Sequence, residues 1–206
     1  MRDIDALQAA VKAVTAELGP IRILVNNAAR DDRHSLESVT SDYFDERIAT
    51  NLKHQLFAAQ AVAGPMAAAG GGSIINVHSV EGMRGYPGDP VYGAMKAAVN
   101  HFSTCLASGY GRNGIRVNGM GVDLTQTAQV DYISGYEDVE HLWESWAPVG
   151  RLGWPEDQAR VALFLASDLS AFVTGHNIPV DGGSHAGGGW FFSPDAKRFV
   201  NRPRGL

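Results

Sequence analysis

Four short apolar runs, each separated from the next by a segment long enough for a helix, constrain this chain more than any other feature. Ile21 to Val25 stops at Asn26-Asn27, and Ser73 to Val77 stops at His78-Ser79. Ile115 to Met120 follows Asn113-Gly114, and Ile178-Pro179-Val180 leads into Asp181-Gly182-Gly183. Runs of that length and β-branched content read as strands, the first two as strands buried on both faces. The intervening pattern is helical. Ile4, Leu7, Val11, Val14 and Leu18 recur at spacings of three and four until Gly19-Pro20. A second helical region runs from about Thr40 to Ala68, with Thr40 or Ser41 as N-cap and Gly70-Gly71-Gly72 closing it. A third runs from about Tyr92 to Arg112, a fourth from Asp138 to Trp146, and a fifth starts at Pro155 and ends near Ser167. The order αβαβαβααβ predicts an α/β protein: a parallel sheet with right-handed crossovers and helices on both faces. Such sheets bind ligands beyond the carboxyl ends of their strands, where Asn26-Asn27, Ser79, the 121–127 segment and Asp181-Gly182-Gly183 fall.

Composition removes several classes. The 206 residues are 45% hydrophobic and 19% charged with a formal charge of -5, which excludes disorder and gives no basic footprint for nucleic acid. Cys105 has no partner for an internal disulfide, and the start of the chain lacks the layout of a signal peptide, so a cytoplasmic setting is expected. The apolar stretch from Leu56 to Ala69 is broken by Gln60, Gly64 and Pro65, so no membrane span is predicted. The seven histidines form no HExxH or Cys/His pattern, so no metal site is expected. Gly182-Gly183-Ser184-His185-Ala186 fails as a nucleophile elbow, since its fifth residue is Ala and a glycine run follows. Residues 1–183 read as one domain and 184–206 as a C-terminal tail. The aromatics within Gly187 to Phe192 predict that the tail docks on a subunit.

The strongest chemical signal is Tyr92-Gly93-Ala94-Met95-Lys96, which puts a phenol and an ammonium on one helix face, one turn apart. A nearby cation favours phenolate, so Lys96 is expected to lower the pKa of Tyr92 toward the range of a useful acid/base. Ser79 stands at a strand end upstream, and Asn51 lies inside the long helical region.

These residues, with Asn26-Asn27-Ala28-Ala29, Arg116-Val117-Asn118 and Val180-Asp181-Gly182-Gly183, resemble the short-chain dehydrogenase/reductase family from Met1 to about Gly183. The resemblance implies a Rossmann-like fold and hydride transfer between NAD or NADP and a small-molecule alcohol or carbonyl substrate. It implies Tyr92 as acid/base, Lys96 as its partner and ribose ligand, Ser79 as donor to the substrate oxygen and Asn51 as holder of a relay water. Asn27, Ala28, Asp123 and Thr127 would contact the cofactor together with Tyr92 and Lys96. His78, Trp143 and Trp146 would lie on the substrate side, with Tyr132 and Tyr136 in the same covering segment. Sugars, polyols and cyclic ketones all suit such an aromatic lid. A homo-oligomer, dimer or tetramer, is implied.

The chain departs from the family pattern in four places. Family members open with a strand, a Gly-rich turn and a helix that hold the pyrophosphate, whereas Met1 here falls at the helix before the fourth strand. The sheet is therefore expected to lack its first strands, leaving Ile21-Val25 as an edge with an uncovered apolar face. Val122-Asp123 replaces Pro-Gly, Ala29 replaces Gly, and His78 precedes Ser79. The only literal GxGxxG, Gly109 to Gly114, follows a helix and precedes a strand, the wrong order for a phosphate loop, and reads as a helix end. Two functions remain: an NAD(P)-dependent oxidoreductase interconverting a secondary alcohol and a ketone, or a non-catalytic truncated relative that serves as an interaction subunit.

Overall fold

The strands form one parallel sheet in the order β1-β2-β3-β4, with β1 at Ile23–Asn26, β2 at Gly72–Ser79, β3 at Ile115–Val122 and β4 at Asn177–Val180. The computed structural model describes residues 2–128, 130–131, 145–195 and 197–200. The register runs from Ile23 opposite Ser73, through Ser79 opposite Val122, to Val122 opposite Val180. It brings the polar ends of β2, β3 and β4 to one edge. Helix α1 (Ile4–Leu18) leads into β1, and α2 (Ser41–Ile48), α3 (His54–Ala68), α4 (Pro90–Tyr110) and α5 (Pro155–Ala166) supply the crossovers. The fold is Rossmann-like, as expected.

Alternation along the strands sorts the core onto two faces. Ile74 packs with Val62, Ala63, Met66, Ala107, Ile115 and Val117, under α3 and α4. Its neighbour Ile75 packs with Met120 and Leu165, against Val161 and Ala162 of α5. Several polar groups buried between elements are paired. Asn26 Nδ2 donates to Asn76 Oδ1 at 2.8 Å, and Asn76 Nδ2 to Ser103 Oγ of α4 at 3.0 Å. Arg116 donates to the carbonyls of Leu165 and Ser167 at the end of α5, and Asn118 donates to Val173 O while accepting from His176 N. Those two motif residues are clamps between β3 and the segment before β4.

Several expectations are refined. The helical region 40–68 is capped by Thr40, whose side chain accepts from Tyr43 N at 3.1 Å, but a π-helical turn at Ala49–Lys53 divides it. The GxGxxG segment is the end of α4 followed by a tight turn, with Gly114 at φ +74°. Gly71, at φ +102°, lies so close to that turn that a Cβ would meet Gly114 O at 2.1 Å. The β1 strand is not buried on both faces: Ile23 and Val25 are 49% and 46% exposed, because β1 is the edge of the sheet among the described residues. The helix expected at Asp138 to Trp146 lies outside the described residues apart from Ser145 and Trp146. The tail forms a short helix α6 (Ser184–Gly187) and an antiparallel hairpin of β5 (Phe191–Ser193) and β6 (Arg198–Val200). No helix among the described residues is long and apolar enough to cross a membrane.

Candidate active site

Ser79, the last residue of β2, is 5% exposed and N-caps a single 3-10 turn, its Oγ accepting from Glu81 N at 3.1 Å and donating to Val122 O at 3.1 Å. Tyr92 enters on the first turn of α4. That helix starts there because Asp89 caps it, accepting from Tyr92 N at 2.9 Å, and Pro90 occupies the first helical position. The Tyr92 hydroxyl interacts with the Ser79 side chain, which favours the phenolate. One turn later Lys96 is 2% exposed, its Nζ 5.4 Å from the Tyr92 ring centroid and 3.4 Å from Val77 O. Ser79, Tyr92 and Lys96 therefore converge at the carboxyl edge of the sheet.

The electrostatics differ from the expectation for Tyr92. Burial, then the Asp31 carboxylate, push its phenol well above the ordinary tyrosine value, and the Ser79 hydrogen bond offsets only part of this. Lys96 is not among the main causes of that shift; burial lowers Lys96 itself to about 8, with Asp31 opposing. Asp31 comes from the loop after β1, where it accepts from the Tyr86 hydroxyl at 3.4 Å. Burial raises the Asp31 carboxyl in turn.

Asn51 sits in the π-helical turn, fully buried. Its side chain is committed to the backbone of Arg30, with Nδ2 donating to Arg30 O at 3.0 Å and Oδ1 accepting from Arg30 N at 3.1 Å. Arg47, 1% exposed, donates to the same carbonyl and pairs with Asp32 at 3.1 Å. Asn51 is thus a clip on the loop that carries Asn27, Ala28 and Asp31. Asn27 is exposed and Ala28 half-buried in that loop. Thr127 is half-buried and its hydroxyl accepts from Val130 N at 3.0 Å.

Two placements correct the sequence reading. His78 is fully buried and points away from the cleft, because it neighbours Ser79 on a strand. Its ring packs beside Gly119 and Gly121 of β3 and faces Asn177, and burial pushes it down to about 4, so it stays neutral and is not a substrate-side group. Asp123 is not a free carboxylate beside the cofactor. It accepts from Arg84 at 3.0 Å, from Ser184 Oγ at 2.5 Å and from Trp146 Nε1 at 3.5 Å. Trp146 is at the site but held by Asp123 and crossed by the Arg84 guanidinium, 5.8 Å from its ring. Trp143, Tyr132 and Tyr136 lie outside the described residues. Residues the sequence reading missed are Asp31, Glu81, Arg84 and Tyr86; none sits in a local pattern, although Asp89-Pro90 is a readable helix start. Among the described residues no group of three or more His, Cys, Asp or Glu could hold a metal ion.

A Rossmann-like sheet with Ser, Tyr and Lys at its carboxyl edge defines the class of nucleotide-dependent dehydrogenases and reductases. The family described as enoyl-(acyl carrier protein) reductase matches residues 1–185. A probable galactose dehydrogenase of Rhizobium meliloti is 38% identical over 185 residues, covering 89% of this chain and 72% of the relative. The D-xylose 1-dehydrogenase of Caulobacter vibrioides is 39% identical over 174 residues, covering 84% and 70%. The crystal structure of a gluconate 5-dehydrogenase from Burkholderia cenocepacia, in complex with NADP and tartrate, superposes with a TM-score of 0.83 at 32% identity, covering 90% of this chain and 72% of that one. The chain belongs to the short-chain dehydrogenase/reductase family, a family of oxidoreductases.

Proposed function

We propose that the chain is an NAD(P)-dependent oxidoreductase that interconverts a secondary alcohol and a ketone, with Tyr92 as acid/base. The observation that carries this is the convergence of Ser79, Tyr92 and the buried Lys96 ammonium on one cleft. The nicotinamide, when bound, supplies the hydride acceptor or donor. The chain's residues fit its ribose half: among the described residues Lys96 Nζ reaches one acceptor, at 3.4 Å, and a buried ammonium with spare donors suits ribose hydroxyls. Lys96, Asn27, Ala28 and Thr127 would hold that half of the cofactor. Ser79, on turning its O–H from Val122 O, donates to the substrate oxygen and steadies charge there, and Tyr92 gives its proton to that oxygen in reduction or takes it in oxidation. Asn51 acts by fixing the loop over the cleft. The relatives act on differing substrates by name, from galactose and D-xylose to acyl carrier protein adducts, and choose none for this chain.

A homo-oligomer and a cytoplasmic setting belong to the same proposal, the latter resting on the free Cys105. A second reading, a non-catalytic interaction subunit, draws on the open β1 edge with its exposed Ile23 and Val25. Replacing Tyr92 by Phe separates the two. Turnover is expected to fall by about 10²–10⁴ with the melting temperature nearly unchanged; turnover equal to the parent chain would remove Tyr92 from the mechanism.

A further inference from the structure

Beside the Ser79–Tyr92 pair lies a cavity of about 350 Å³, at the small end of ligand pockets. Two residues join it to the pair. Tyr86 lines the cavity and stands edge-on to Tyr92, with ring centroids 6.0 Å apart. Glu81 lines it too, while its backbone N–H donates to Ser79 Oγ. Trp146 and Trp190 supply further walls, 39% and 51% exposed. Exposed indoles on a concave surface offer flat apolar faces to a ligand.

The charge of the cavity narrows what that ligand is. Arg84 also lines it, and donates to Glu81 at 2.6 and 3.3 Å and to Asp123 at 3.0 Å. Two carboxylates thus hold one guanidinium, leaving one net negative charge. An entering carboxylate would meet a guanidinium whose charge two carboxylates already offset, together with that excess negative charge, although among the described residues Arg84 Nη1 stays free to donate to a neutral hydroxyl. An unhydroxylated alcohol or an acyl chain has the opposite defect, because it would cover the Glu81 and Arg84 head groups without returning hydrogen bonds. A ring with an apolar C–H face and hydroxyls at its edge satisfies both features. Its face can lie on an indole, while its hydroxyls donate to Glu81 and accept from Arg84.

We infer that this cavity takes a neutral polyhydroxylated ring, a monosaccharide or cyclic polyol, and rejects both its carboxylate derivatives and unhydroxylated alcohols. The inference rests on the Tyr92–Ser79 reading above, which puts the reacting hydroxyl at Tyr92 and the rest of the ring in the cavity.

Calorimetric titration of the purified 206-residue chain tests it, using neutral aldohexoses and aldopentoses, their aldonates, and cyclohexanol as probes. At least one neutral sugar is expected to bind saturably, with its aldonate and cyclohexanol at least about tenfold weaker. Trp146→Ala is expected to weaken that sugar by about tenfold. The double variant Glu81→Gln with Asp123→Asn leaves Arg84 unopposed and is expected to reverse the preference toward the aldonate, a gain that misfolding cannot produce. Aldonate binding as tight as sugar binding in the parent chain, tighter cyclohexanol, or no sugar binding at all overturns the inference. Tyr92→Phe distinguishes the two readings, since it should retain sugar binding and lose turnover. Sugar binding without any Tyr92-dependent turnover would sink the oxidoreductase proposal alone; Tyr92-dependent turnover confined to unhydroxylated alcohols would sink the sugar inference alone.

Discussion

At Tyr92, burial and the Asp31 carboxylate together keep the proton on the phenol through the neutral range. On the proposed mechanism the residue is therefore loaded as an acid for carbonyl reduction, whereas alcohol oxidation needs the phenolate and should rise with pH. Removing the Asp31 charge lowers the phenol pKa, so Asp31→Asn is expected to shift the rising limb of the oxidation profile to lower pH; an unmoved limb would remove Asp31 from the account. Lys96 makes a separate prediction. The folded chain releases its proton near pH 8, whereas the unfolded chain holds it to about 10.5, so between those values the unfolded state binds more protons. Stability from this group then rises with pH across that window. Urea denaturation of the parent chain and Lys96→Met at several pH values should show this slope in the parent and its loss in the variant. The Tyr-x-x-x-Lys spacing reveals that the two residues share a helix face, but not the sign of their electrostatics. That sign depends first on burial and then on Asp31, a residue remote in sequence, and only the fold supplies either.

The elements position these groups through a few buried polar fastenings. Asn51 satisfies both backbone groups of Arg30, so Asn51→Ala leaves the Arg30 N–H without its partner while Arg47 still holds the carbonyl, and should cost about 1 kcal/mol. Urea denaturation measures that loss, and kcat/KM should fall with it. Most strands and helices are legible from periodicity because Ile74 and Ile75 face two different apolar layers and the helices carry clear ends at Gly70 and Gly114. The π-helical turn at Ala49–Lys53 is not legible, since each of its residues also suits an α-helix. The exposure of β1 required knowing which strand lies at the edge, and the family pattern, not the composition of Ile21 to Val25, supplies that. His78 follows the same logic: its position next to Ser79 suggested a substrate role, but strand alternation sends it to the other face.

At the scale of the whole molecule, the chain carries the Ser, Tyr and Lys cleft and the loop over it, and spans 72% of the length of the galactose dehydrogenase it resembles. Apolar side chains remain exposed on the β1 side, with Val14 and Leu18 of α1 at 42% and 78% and Ile23 and Val25 of β1 near half. The central claim is that the residues present suffice to engage a nicotinamide dinucleotide at Lys96 and Tyr92. Titrating the folded chain with NADH and NADPH, following nicotinamide fluorescence and melting temperature together, tests it most directly. The account predicts saturable fluorescence enhancement with one of the two, accompanied by stabilisation of about 2.7 kcal/mol when the cofactor reaches a hundredfold excess over Kd. A folded chain that shows neither fluorescence change nor stabilisation with either dinucleotide at millimolar concentration would contradict it.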